Sequence, residues 1–182
     1  MLPPGYKITS ETLWLGTIIF AAIDVFFVLI LAWRVNPATF RRLKWLLAIT
    51  TAIFFCGIWT WGFINFWDSI YHYVFPAWAH WLIPPTFGLL YAGISLLYWW
   101  LAVRLRGNAV VNFCLLGGLW GMITHLFAVS IGIVSKPPAL QGAAPVAAVV
   151  FAIFEFMFYW CVILSMTTLL NYLWQRLRKL LV

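Results

Sequence analysis

The side chains able to carry acid, base or metal chemistry are few in this sequence. Its 182 residues include four acidic residues and three histidines. These seven residues are Glu11, Asp24, Asp68, Glu155, His72, His80 and His125. Three of the four acids lie in or beside long apolar segments. Because burying an ionisable group in such a segment is costly, each of those three is a candidate for function.

The densest group of these side chains lies between residues 65 and 80. If a helix continues to residue 72, Asn65, Asp68 and His72 share one stripe of it. A carboxylate and an imidazole four residues apart can bind one metal ion together, as the paired histidines of HExxH do. His80 adds a third donor, and mixed nitrogen and oxygen donors suit copper, zinc or iron. The sequence therefore predicts Asp68, His72 and His80 as metal ligands.

Three further candidates lie inside apolar segments at similar depths. At 1.5 Å per residue, Asp24 is roughly 16 Å from the outer end of its segment, and His125 and Glu155 are each roughly 14 Å from theirs. We interpret the three as a cofactor-binding second site, a proton path, or side chains that orient the metal ligands. Two structural interpretations compete: hydrogen-bonded neutral carboxyls, and a His125–Glu155 ion pair that fixes helix register.

The composition indicates the elements that must position these residues. Hydrophobic residues make up 65% of the chain and charged residues 8%, whereas soluble domains are about one quarter charged. Five apolar segments are long enough to cross ~30 Å of hydrocarbon: residues 13–33, 45–66, 81–103, 109–134 and 146–173. The prediction is an all-α integral membrane protein, one domain of five transmembrane helices in a lipid bilayer.

The distribution of cations predicts how the helices are oriented. Nine of the eleven Lys and Arg residues follow the first, third and fifth segments, and only Lys7 and Lys136 lie on the other side. Because the loops are short, the positive-inside rule places the N-terminus outside and the C-terminus in the cytoplasm. The net charge of +7 then reflects insertion into the plasma (inner) membrane, and nothing indicates nucleic acid as a partner.

Within the fourth segment, Gly117 and Gly121 form a pair of small residues that allows close helix approach. His125 lies four residues further along the same stripe, so we expect it to face the interior of the bundle. The three cysteines, Cys56, Cys114 and Cys161, fall inside apolar segments, and we interpret them as small buried apolar residues.

The run N-F-W-D-S-I-Y-H at residues 65–72 resembles the Asp-x-x-x-His segment in the C subunit of membrane-bound copper monooxygenases, the particulate methane and ammonia enzymes. The resemblance implies copper near the outer face, bound by Asp68, His72 and His80. It also implies a counterpart of a later family histidine at His125. This sequence departs from the family in the short loop between His72 and His80 and in having Gly121 where the family has an asparagine one turn before that later histidine.

The sequence therefore predicts a metal-binding subunit of an oxidoreductase complex that acts on a small or apolar substrate near the outer face. Other membrane subunits or further copies of the chain are expected, because 182 residues leave no soluble domain for electron delivery. A haem- or chlorin-binding electron-transfer subunit is one alternative. Another is a non-catalytic porphyrin- or lipid-binding protein, since P-P-T-F-G-L-L-Y at residues 84–91 is faintly similar to the tryptophan-rich sensory proteins.

Overall fold

The computed structural model describes residues 8–62, 79–130 and 143–181. These residues form helices, with no strand among them. The helices are α1 (Ser10–Arg34), α2 (Pro37–Arg42), α3 (Lys44–Gly62), α4 (Ala79–Ala102), α5 (Ala109–Ser130) and α6 (Pro145–Leu181). Four of them, α1, α3, α4 and α6, are long and apolar enough to cross a membrane, and the described apolar stretch of α5 is shorter. The all-α prediction and its membrane character are confirmed at this level.

The helices begin close to where the apolar segments begin. Each of the five predicted starts lies within three residues of a helix start, because apolar segments of this length satisfy their backbone in lipid by forming helices. The predicted ends at residues 66 and 134 lie outside the described residues. Helix α6 continues to Leu181, eight residues beyond the predicted end at residue 173. Its last turns are rich in Leu, Arg, Gln and Lys, which favour helix although they end the apolar run.

Helix α2 is short and was not among the predicted segments. It begins because the Asn36 side chain accepts a hydrogen bond from the Ala38 backbone N–H at 2.8 Å and Pro37 occupies the first turn, both favourable at a helix N-terminus. Phe40 fixes it to the bundle: its ring is fully buried and lies 6.0 Å from the ring of Phe113 on α5.

Helix α3 contains a π-helical turn at Phe54–Trp59. A π turn holds one extra residue, and such turns are frequent at functional sites. The buried positions of α3 show the insertion, since Leu47, Thr51 and Phe55 are four residues apart whereas Thr60 follows Phe55 by five. The Thr60 hydroxyl donates a 2.6 Å hydrogen bond to the Phe55 carbonyl and so satisfies one backbone acceptor of the widened turn.

Helix α6 lies at the centre of the bundle and packs against α1, α3 and α5. It approaches α5 closely, because a Cβ at Gly117 or Gly121 would overlap the side chain of Trp160 or Phe156, and one at Gly118 would lie 2.9 Å from the Ile153 carbonyl oxygen. The predicted close approach along the Gly117–Gly121 stripe is confirmed.

Aromatic rings fill the space between α3, α4, α5 and α6. Phe55 and Tyr91 stack with their centroids 3.8 Å apart. The fully buried Trp160 meets Phe113 at 5.5 Å and Tyr98 at 5.2 Å, in edge-to-face geometry. Such pairs add stability beyond the apolar area that they bury, so this cluster holds four helices in a fixed arrangement around the polar groups described next.

Candidate functional site

Asp24 is the most completely buried acid among the described residues. It lies on the inward stripe of α1 with Leu13, Thr17 and Leu31, and its side chain is 0% exposed. Neither carboxyl oxygen has a hydrogen-bond partner in the described part of the chain. A charge held there would be uncompensated, which is unfavourable in a low-dielectric interior. A bound proton or cation would remove that cost.

Two cysteines, Cys161 on α6 and Cys114 on α5, lie on the helices against which α1 packs. Both cysteines are fully buried, as predicted, whereas Cys56 on α3 is exposed, so the prediction of a buried residue is wrong there. Asp24 therefore faces the junction of α1 with α5 and α6.

Glu155 is the second buried carboxyl. It lies on α6, is 3% exposed, and its Oε1 accepts a 2.5 Å hydrogen bond from the Tyr159 hydroxyl one turn later. Its Oε2 is buried without a partner among the described residues. A carboxyl and a phenol in such a short hydrogen bond can share a proton and pass it on.

The π turn of α3 lies beside this pair. The ring of Phe54, the first residue of the turn, is 5.8 Å from the ring of Tyr159. Further along the same two helices, the buried hydroxyls of Thr50 and Thr167 form a 2.6 Å hydrogen bond. The seam between α3 and α6 thus carries polar contacts around Glu155 that hydropathy does not reveal. The four-residue spacing of Glu155 and Tyr159 was the one sequence signal for the pair.

Each of the two carboxyls has its own neighbours. Glu155 and Cys161 are six residues apart on α6, which corresponds to roughly 9 Å along the axis and roughly 120° around it. Glu155 and Cys161 therefore point in different directions from α6. The rings of Phe151 and Phe158, four residues before and three after Glu155, both contact the ring of Phe20 on α1, so the part of α6 that carries Glu155 borders the helix that carries Asp24. The grouping of Asp24, Glu155 and His125 as a second site stays a prediction.

The structure describes only some of the predicted metal ligands. Asp68 and His72 lie outside the described residues, and His80 and His125 are described by their backbone alone. His80 is the second residue of α4, as predicted, and His125 lies on α5 one turn beyond Gly121. Among the side chains that are described, no three His, Cys, Asp or Glu residues come together as a metal site. The metal-ligand set remains a prediction.

Comparison with known proteins adds no relative: no family model, curated protein or solved structure matches this chain. The site is therefore interpreted from its own geometry. That geometry consists of two buried carboxyls in an aromatic helical bundle, one joined to a phenol and one without a hydrogen-bond partner among the described residues.

Proposed function

We propose that this chain is a membrane-embedded, metal-binding subunit of an oxidoreductase complex, acting on a small or apolar substrate near the outer membrane face. Copper is the metal that we favour, with zinc, iron or haem as alternatives. In this proposal five helices span the plasma membrane, with the N-terminus outside and the C-terminus in the cytoplasm. Asp68, His72 and His80 are the metal ligands.

The packing of α3 against α4 carries the metal proposal. The ring centroids of Trp59 and Phe87 lie 5.0 Å apart, and those of Phe55 and Tyr91 lie 3.8 Å apart. The later residue of α3 thus contacts the earlier residue of α4, and the reverse holds for the other pair. The two helices are therefore antiparallel, and the end of α3 at Gly62 and the start of α4 at Ala79 belong to the same end of the bundle. Asp68 and His72 belong to the segment that joins these two ends, and His80 to the first turn of α4. This arrangement favours one shared ion.

The five-span topology is supported by the described helices together with the cations. Helix α5 has 22 residues, or roughly 33 Å at 1.5 Å per residue, and it packs along the spanning helix α6. Nine of the eleven Lys and Arg residues belong to the helix ends and turns opposite the proposed ligands. The positive-inside rule then assigns those ends to the cytoplasm.

The buried carboxyls supply the proton handling that an oxidoreductase subunit needs. Glu155 with Tyr159 lies beside the π turn of α3, whose outer end leads towards Asp68 and His72. Asp24 on α1 provides a second proton-holding group. The aromatic cluster around Trp160 keeps the interior apolar, which suits a small apolar substrate.

Metal content tests this proposal directly. Wild-type protein and a His72→Ala/His80→Ala double variant would be purified in lipid nanodiscs and analysed by inductively coupled plasma mass spectrometry. We expect close to stoichiometric copper in the wild type and its loss in the double variant, because removing two of three ligands leaves no chelate. Gln175→Ala, on the exposed end of α6, is the matched control and should keep the metal.

Two results would contradict the proposal. One is wild-type protein that takes up no metal in nanodiscs even after incubation with Cu(I), Cu(II) and Zn(II). The other is a double variant that retains as much metal as the control. An absorbance band of haem or chlorin in the purified protein would instead favour the electron-transfer alternative, and tight porphyrin binding without metal would favour the non-catalytic one.

A further inference from the structure

A small pocket lies at the end of the bundle opposite the proposed metal ligands. It encloses about 120 Å³ between α2 and the turn that joins α4 to α5. Its polar lining includes Arg41 and Asn108, and its apolar lining includes Ala102, Leu105 and Ala109. Gly107 shapes the turn with a φ of 100°, a left-handed conformation that glycine adopts without steric cost.

The helix that carries Arg41 is held firmly on the bundle. Its neighbour Phe40 is fully buried, and the Phe40 carbonyl accepts a 2.9 Å hydrogen bond from the Trp99 indole N–H on α4. Leu43, two residues after Arg41, is also buried. The backbone on both sides of Arg41, which lines the pocket, is therefore anchored to the bundle. Such preorganisation reduces the entropy lost when a ligand binds.

The far wall of the pocket is fixed as well. The Asn112 amide donates to the carbonyls of Ala102 and Arg106, at 3.4 and 3.3 Å. The Asn108 side chain accepts the backbone N–H of Val110 at 2.9 Å. These bonds close the α4–α5 turn and hold its backbone opposite Arg41.

The charge around this pocket is of one sign. Arg42, Arg104 and Arg106 flank it on α2 and on the α4–α5 turn, and the three acids in the described part of the chain, Glu11, Asp24 and Glu155, lie elsewhere on α1 and α6. Arg104 stacks over Trp100 at 4.0 Å, and Trp and Arg of this kind are common near the ends of membrane-spanning helices. The pocket thus has a mostly apolar lining and lies among basic residues at the cation-rich end of the bundle.

We propose that this pocket binds a phosphate group, with Arg41 as its principal ligand, and that an anionic phospholipid headgroup supplies the phosphate. A guanidinium forms paired hydrogen bonds with phosphate oxygens, and basic pockets between membrane helices are suited to anionic headgroups. The apolar lining from Ala102, Leu105 and Ala109 would contact the first carbons of the lipid. This site does not depend on the metal proposal, because it lies at the other end of the bundle.

The experiment compares two adjacent arginines. Detergent-solubilised wild type, Arg41→Gln and Arg42→Gln would be titrated with short-chain phosphatidylglycerol, phosphatidylcholine and inorganic phosphate, with bound ligand counted by native mass spectrometry. Arg42 is the matched control, because it carries the same charge on the same exposed helix but does not line the pocket. We expect Arg41→Gln to weaken phosphatidylglycerol binding about tenfold or more, and Arg42→Gln less than about threefold at physiological salt, since an exposed charge that does not line the pocket acts only through solvent and is screened.

Arg41→Lys separates the effect of charge from that of hydrogen-bond geometry, because lysine keeps the charge but cannot form the paired hydrogen bonds. We expect this variant to retain only part of the affinity for phosphatidylglycerol.

Binding of phosphatidylglycerol but not inorganic phosphate would assign the site to a lipid headgroup. Arg41-dependent binding of both would assign a phosphate site that is also open to soluble ligands. Equal losses in the Arg41 and Arg42 variants, or equal binding of phosphatidylcholine and phosphatidylglycerol, would overturn the proposal. Thermal melts of each variant establish that it is folded.

Discussion

Asp24 shows what a single residue contributes to this molecule. A polar group buried without a hydrogen bond costs about 1–3 kcal/mol in proteins, and both oxygens of Asp24 are buried in this state among the described residues. Thr17, on the same stripe of α1, differs because its hydroxyl donates a 2.8 Å hydrogen bond to the Leu13 carbonyl. The buried threonine hydroxyl is satisfied within its own helix, whereas no contact among the described residues stabilises the buried aspartate carboxyl. This contrast favours a functional role for Asp24.

We therefore expect Asp24→Val to raise the free energy of unfolding by about 1–3 kcal/mol, because it removes an unpaired polar group. Thr17→Val, which loses a polar group that is already satisfied, should change it by less than about 1 kcal/mol. Reversible unfolding in mixed micelles measures both values. A destabilised Asp24→Val protein would show that the carboxyl is needed for packing and would remove the functional argument. If the prediction holds, Asp24→Val should be stable but impaired in any activity that is found.

At the scale of elements, the seam between α5 and α6 is set by glycines. Gly117, Gly118 and Gly121 all lie where a Cβ would meet α6, two of them against the large side chains of Trp160 and Phe156. Small residues at such a seam let two helices approach closely, and van der Waals contact then holds them together in lipid. Because α6 also contacts α1 and α3, a change at this seam reaches most of the bundle.

Gly117→Ala or Gly121→Ala should destabilise the protein by on the order of 1–3 kcal/mol, since the added methyl forces the helices apart or distorts the rings. Gly93→Ala on α4 is the matched control, because a Cβ there meets nothing within 4 Å. Alanine favours helix over glycine by roughly 0.5–1 kcal/mol, so the control should be neutral or more stable. Loss of stability at Gly93 equal to that at Gly117 would show that the cost is not due to the seam.

At the scale of the whole molecule, the proposed orientation is open to a direct test. Lys7→Cys should be labelled by a membrane-impermeant maleimide in intact cells, and Arg178→Cys only after the membrane is permeabilised, because the cation-rich ends are assigned to the cytoplasm. The parent protein is the control. Its cysteines, two of them buried and Cys56 within the apolar span of α3, should remain unlabelled in both conditions. Labelling of Arg178→Cys in intact cells would reverse the orientation, and labelling of both positions there would contradict an odd number of spans.

The sequence predicts the starts of the long helices and the glycine seam because hydropathy and residue size act locally. It does not predict that Tyr159 pairs with Glu155 beside a π turn, nor that Phe40 anchors a short helix under Trp99. Those contacts depend on how each helix is rotated about its axis, and mostly apolar helices give little periodic signal of rotation. For the same reason, the similar depths of Asp24 and Glu155 in the sequence do not predict which neighbours each carboxyl contacts.

The π turn of α3 also fixes the angular phase between its two ends. Each α-helical residue advances the side-chain direction by about 100°, so the one additional residue at Phe54–Trp59 shifts the bundle-facing positions in the C-terminal part of α3 by one residue relative to its N-terminal part. Thr60 faces the bundle only because of that offset. Deleting one residue from this turn would place that threonine four residues after Phe55, where a regular helix also turns it towards the bundle. The widened turn is therefore a local feature of α3 beside Tyr159, and the direction of the chain beyond it does not depend on it.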